Sequence, residues 1–190
     1  MKHDVYPRAP LALAWRPQAG LAGQIGLVVL GSLLVALAAQ IKIPMWPVPV
    51  TMQTLAVLLV GALLSSRLGA LSMLLYLGEG LLGLPVFAGW GSGPAYFAGP
   101  TAGYLFGFVA AAFVVGWLCE RGWDRKVSTA VLAMLLGNVT IYLFGLPWLA
   151  RFVGVDRVLQ AGLLPFIPGD ILKIILAALI LPAGWKLLQK

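Results

Sequence analysis

Charge is scarce in this chain: 10% of its 190 residues are Asp, Glu, Lys or Arg, while 61% are hydrophobic. Soluble domains carry about 25% charged residues, and a chain so poor in them would leave apolar surface in water. The whole length, 1–190, therefore reads as one membrane domain with a polar N-terminal segment at 1–20. Cysteine is nearly absent too. Cys119 alone excludes an intrachain disulfide and a thiolate metal cage. His3, the single histidine, stands in the polar N-terminus, which argues against a histidine-based metal site or triad. There is no G-x-x-x-x-G-K-[ST] phosphate loop and no G-x-S-x-G or H-E-x-x-H motif. ATP hydrolysis by the phosphate-loop route is excluded, so any uphill transport would draw on a gradient or on another subunit. No cofactor is expected.

What charge there is leans basic, with 13 Lys and Arg against 6 Asp and Glu. The basic residues stand singly at the ends of apolar runs, which fits a topology signal rather than a nucleic-acid surface. Six stretches, at approximately 21–39, 51–65, 68–82, 101–119, 127–146 and 168–188, are long enough or nearly so to cross about 30 Å of hydrocarbon. The first is too long for the core of a cleaved signal peptide and is expected to be retained. The second and third are short and close together, which predicts a tight helical hairpin. No alternating strand pattern of a β-barrel occurs, so the expected fold is an all-α bundle of six transmembrane helices. An even number puts both termini on one side. That side collects Lys2, Arg8, Arg16, Arg67, Arg121, Arg125, Lys126, Lys186 and Lys190, against Lys42, Arg151 and Arg157 opposite. The bias predicts cytoplasmic termini. Residues 148–162 mix charge with apolar side chains and read as an amphipathic segment at the outer interface.

The anomaly is a charged pair inside the last apolar stretch. Asp170 and Lys173 would each cost roughly 2.5–3.5 kcal/mol at membrane depth, and such residues usually mark a site. Pro168 and Gly169 break a preceding helix and suit the start of a new one. There Asp170 can accept backbone N–H groups, and the two side chains, three residues apart, can pair with each other. Beside these structural roles stands a functional one: Lys173 and free N–H groups form an anion seat, while Asp170 accepts N–H donors from a ligand. A small, amide-bearing acid would satisfy both.

The stretch 83–104 is rich in glycine, broken by proline and uncharged, yet holds Phe87, Trp90, Tyr96, Phe97 and Tyr104. A flexible linker lacks aromatics. A loop that folds over an apolar ligand has them, and interfacial anchoring of Trp90, Tyr96 and Phe97 is the alternative. Pro44, Pro47 and Pro49 give a stiff, extended entry into the second span, where Thr51 and Gln53 can cap the helix or face a pocket. Glu79, near the outer end of the third span, reads as structural or interfacial. Asn138 and Tyr142, four apart, share a face of the fifth span and can bridge helices or contact ligand. In the first span, Ser32 with Ala36, and Ala22 with Gly26, are small pairs that allow close packing within the chain or against a partner.

Together, Pro47–Val48–Pro49–Val50–Thr51–Met52–Gln53–Thr54, Gly83–Leu84–Pro85–Val86–Phe87–Ala88–Gly89, Gly99–Pro100–Thr101, Gly103–Tyr104, and Pro168–Gly169–Asp170 with Lys173 resemble BioY. That family comprises the biotin-binding S components of energy-coupling factor transporters. The resemblance runs in order from about Ala36 to Lys173. It implies six helices with cytoplasmic termini in a bacterial inner membrane, and an outward-facing biotin pocket closed by loops. It also implies a transmembrane coupling protein and two ABC-type ATPases as partners, with Ser32 and Ala36 as contacts with the coupling protein. For the site, it maps Asp170 and Lys173 onto biotin contacts. Gly91 and Ser92 fall where some members give a polar contact to the ureido head. Leu105 stands where some members carry an arginine, leaving Lys173 to bear the carboxylate alone or with backbone N–H groups. Phe87, Trp90, Tyr96, Tyr142 and Asn138 complete the expected site. Two readings of other classes stand beside this one: a structural membrane subunit, and an intramembrane enzyme using Asp170 or Glu79 as acid or base.

Overall fold

The computed structural model describes residues 10, 11 and 20–188. Lys2, Arg8, Arg16 and Lys190, which enter the topology argument, and His3 lie outside the described residues. Along the chain come helix α1 (Leu21–Gln40), strands β1 (Lys42–Ile43) and β2 (Val50–Thr51), α2 (Gln53–Leu64), α3 (Ser66–Leu81), α4 (Pro94–Phe97), α5 (Ala102–Cys119), α6 (Val127–Val153), α7 (Val158–Gly162) and α8 (Ile167–Leu188). Four helices, α1, α5, α6 and α8, are long and apolar enough to cross a membrane. Helices α2 and α3 have 12 and 16 residues, a rise of about 18 and 24 Å, short of a full hydrocarbon core.

Helix α5 is the axis of the bundle. Its apolar window is 67% buried, against 17% for α1, and it packs on α2, α3 and α6. Glycines permit that contact. A side-chain carbon on Gly61 would fall 2.5 Å from the Ala112 carbonyl oxygen, and one on Gly116 2.4 Å from the Ser66 nitrogen. The α2–α3 turn is a single residue, Ser65 at φ 109°, whose side chain accepts the Leu68 N–H at 3.3 Å. Glu120 takes the N–H and O–H of Ser66 at 2.8 and 2.9 Å, a carboxylate at the positive end of α3.

Connections gather at two ends. At one, Tyr104 donates to the Gly162 carbonyl at 2.9 Å and the Trp148 indole to the Gly99 carbonyl at 2.9 Å. At the other, the Trp185 indole donates to Asp124 at 2.5 Å. The outer faces of α1, α6 and α8 show Leu30, Leu33, Leu37, Leu132, Leu143, Leu172 and Leu179, an apolar exposure too extensive for a water-facing monomer.

Two expectations change. The fifth helix does not stop at 146 but runs through Pro147 to Val153, so the segment 148–162 is the end of α6 plus the short α7. A proline inside a membrane helix is tolerated where neighbouring groups re-satisfy the freed backbone. Gly154, at φ 83°, ends the helix instead. Ser32 is fully buried and donates to Glu79, so α1 spends its small residue on α3 within the chain. Beside it, a side-chain carbon on Gly31 would meet Ser72 Oγ at 2.6 Å. Ala36 is half-buried, at the edge of the exposed leucine face.

Candidate functional site

The first turns of α8 carry the charged pair into the bundle. The Asp170 N–H already bonds the Phe166 carbonyl at 2.9 Å, so the helix has begun before it. Its carboxylate does not cap backbone N–H groups. Oδ2 accepts from the Tyr142 hydroxyl of α6, and Oδ1 lies 3.6 Å from Lys173 Nζ. That separation is an ion contact and too long for a hydrogen bond, which leaves Oδ1 buried without a donor. Lys173 Nζ donates to the Thr51 carbonyl at 2.7 Å and to Thr54 Oγ1 at 2.9 Å. Both charged residues are 6% exposed. The cation is thus held by the start of α2, and the anion by α6.

Beside Lys173 opens a cavity of about 510 Å³, counting its open mouth. Lys173, Tyr142, Thr51, Gln53 and Thr54 give its polar wall. Tyr96, Tyr104, Phe108 and Phe166 give the aromatic one, with Leu105, Ile141, Val48 and Ala88 between. Tyr104 stacks on Phe166 with centroids 6.3 Å apart and meets Tyr142 edge-on at 6.2 Å. The Gln53 amide is fixed at both ends: Oε1 accepts from Thr51 Oγ1 at 3.0 Å, and Nε2 donates to the Tyr76 hydroxyl at 2.7 Å. Tyr76 in turn donates to the Val86 carbonyl at 3.1 Å.

That last bond enters the glycine-rich stretch, which folds over the cavity. Phe87 is fully buried, stacked on Tyr96 at 4.7 Å and edge-on to Tyr76 at 5.3 Å. Gly80 makes its slot, since a side-chain carbon there would lie 2.0 Å from the Phe87 ring. Gln40, the last residue of α1, clips the turn from both sides. Its amide donates to the Phe87 carbonyl at 3.1 Å and accepts the Trp90 N–H at 3.2 Å.

Of the residues expected at the site, Lys173, Tyr142 and Tyr96 line the cavity, and Asp170 stands behind Lys173 and Tyr142, in contact with both but outside the lining. Phe87 stands behind Tyr96. Gly91 accepts the Phe87 N–H at 3.0 Å, and neither it nor Ser92 lines the cavity. Trp90, at φ 62°, is 67% exposed. Asn138 lies a helical turn from Tyr142 on the same face, 4% exposed, with both side-chain polar atoms unpartnered and outside the lining. Thr54, Phe108 and Phe166 line the cavity without having been singled out for it from the sequence, and Tyr104, read there only as the last aromatic of the glycine-rich stretch, lines it too. Only Thr54 left a usable signal, a hydroxyl beside Thr51 and Gln53 at the mouth of an apolar helix.

The BioY family model, described as the BioY family, matches residues 11–190. This chain belongs to the BioY family. A probable biotin transporter BioY of Pyrococcus horikoshii is 43% identical over 159 residues, covering 84% of this chain and 94% of that protein. A biotin transporter BioY of Rhizobium etli is 42% identical over 142 residues, 70% of this chain and 76% of that one. Among solved structures, the S-component for biotin from an ECF-type ABC transporter superposes with a TM-score of 0.76 at 25% identity, covering 87% of this chain and 92% of that one. These BioY relatives are named as transporters, which sets the enzyme reading aside; Glu79, its other acid, is bonded to Ser32. Membership and the four long apolar helices make this a multi-pass membrane protein.

Proposed function

We propose that this chain is the biotin-binding subunit of a vitamin uptake transporter. In this reading six helices cross a bacterial inner membrane with both termini in the cytoplasm, α2 and α3 being short spans. The cavity opens outward, and a transmembrane coupling protein with two ATPases drives transport. The observation that carries the reading is the buried Asp170 Oδ1 without a donor, held beside Lys173, which lines an aromatic cavity. An unsatisfied buried acceptor costs about 1–3 kcal/mol, and a ureido N–H would relieve it. Biotin has that ureido head, a thioether ring suited to Tyr104, Phe108 and Phe166, and a carboxylate.

The 3.6 Å spacing of the pair bears on which end each residue meets. A bicyclic ring and a butylene chain separate the ureido group of biotin from its carboxylate. Two side chains so close cannot divide those ends of an extended ligand between them. Asp170 therefore accepts a ureido N–H, and Lys173 faces the ureido carbonyl instead of the carboxylate expected for it. Tyr96 and Phe87 close the cavity, and Asn138 meets the head on its way inward. The coupling protein contacts Ala36 with the exposed Leu33 and Leu37 of α1.

Uptake of labelled biotin, in cells expressing this chain with and without its ATPase partners, tests the proposal. Retention of label that needs this chain is expected, with full transport when the ATPases are present. Absence of any biotin binding by the purified protein would favour a structural subunit.

A further inference from the structure

If the head of the ligand occupies Asp170 and Lys173, its carboxylate needs another positive group. The interior offers none: Leu105, Phe108, Ile141 and Phe166 bring no charge. Lys173, bonded to Thr51 and Thr54, is taken by the ureido carbonyl in that reading.

A second cavity, about 690 Å³ counting its open mouth, lies between the β1–β2 hairpin and the start of α8. It shares Thr51 and Lys173 with the first. Its walls are Ile43, Val50, Leu172 and Leu176, and among the described residues lining either cavity Lys42 and Lys173 are the only charged ones. Lys42 pairs directly with Thr51 in the hairpin, which puts their side chains on one face of it. The Lys42 ammonium reaches the loop over the first cavity: a side-chain carbon on Gly89 would fall 2.3 Å from Nζ. Ala88, the next residue, lines that cavity. Lys42 is exposed and, among the described residues, has no hydrogen-bond or ion-pair partner. A cation with free donors thus stands at the rim, with an apolar wall between it and the engaged cation inside.

We propose that Lys42 receives the carboxylate of the ligand, the butylene chain running along that apolar wall from the Asp170–Lys173 pair. Lys42 then sets the preference of the site for an acid over its neutral analogues. This inference rests on the biotin reading, and its test separates the two. Biotin and biotinamide, in which an uncharged carboxamide replaces the carboxylate, are titrated into purified wild type, Lys42→Met, Lys42→Arg and Lys173→Met. Wild type is expected to prefer biotin by roughly tenfold, the scale of a charge-assisted hydrogen bond. Lys42→Met should lose that preference by weakening biotin alone, with biotinamide binding unchanged, and Lys42→Arg should keep it. The proposal is overturned if Lys42→Met retains the preference, or if it weakens both compounds equally. A preference that disappears instead in Lys173→Met would move the carboxylate to the inner lysine. Wild type that binds neither compound would end the biotin reading and this one with it.

Discussion

Two buried carboxylates stand near opposite ends of α8 and differ in what surrounds them. Asp170 and Asp124 are both buried, and each has one oxygen without a hydrogen-bond partner. Asp170 has a lysine at 3.6 Å and a cavity beside its two partners. Asp124, in the α5–α6 connection, accepts from the Trp185 indole at 2.5 Å, and neither it nor that tryptophan lines a cavity. The Arg125 guanidinium lies over the Trp185 ring at 4.8 Å, and Leu11 packs against the same tryptophan. A buried acid is therefore no sufficient mark of a binding site. The sign of one is a buried acid with an unfilled acceptor, a compensating cation and a space for a donor to enter.

That contrast is broken most severely at Lys173. Replacing it with Met leaves Asp170 as a buried, uncompensated charge, a loss of about 3–5 kcal/mol. Thermal unfolding in detergent should shift down clearly, and biotin affinity should fall by more than about 100-fold. Next in size is Tyr142→Phe, which removes the donor to Asp170 Oδ2. Biotin affinity is expected to fall about tenfold, read by calorimetry, with the thermal midpoint little changed.

Smaller effects fall on the cover of the cavity. Gln40→Met removes both hydrogen bonds to the Phe87–Trp90 turn, and Tyr76→Phe removes the link from Gln53 to Val86. Each should speed biotin release a few-fold, at about 1 kcal/mol per bond, in stopped-flow dissociation.

The smallest effect on binding belongs to the other acid. Burial holds the Asp124 carboxyl above its ordinary range, against the opposing bond from Trp185. A raised value in the folded state means that its stabilisation is complete below the ordinary aspartate pKa. It is lost as pH rises through the raised one. Asp124→Asn keeps an acceptor for the indole and removes the titration. Its thermal midpoint should match or exceed wild type at pH 7 and vary less between pH 4 and 7, with biotin affinity unchanged.

Much of the fold was legible because its signals are one-dimensional. Apolar runs and the short gap between the second and third located the six longest helices to within a few residues at most ends. Pro147 misled, since proline stops a helix in water but can be accommodated inside a packed membrane bundle. At the site, Asp170, Lys173 and Tyr142 were legible through cost and helical spacing. Phe108 and Phe166 were not, because an aromatic residue in an apolar run reads the same whether it faces a cavity, a neighbour or lipid. The glycine-rich stretch was readable as a cover but not residue by residue. Trp90 turns outward and Phe87 inward through local backbone geometry, with Trp90 at φ 62°, which composition does not encode. Lys42 looked like one more topology charge until the hairpin set it opposite Thr51.

The central claim is that Asp170 accepts a ureido N–H from biotin whereas Asp124 has no part in binding. Calorimetric titration of biotin into Asp170→Asn and Asp124→Asn, purified side by side, measures it directly. The account predicts a loss of more than about 100-fold in the first and wild-type affinity in the second. Equal affinities in the two variants would contradict it.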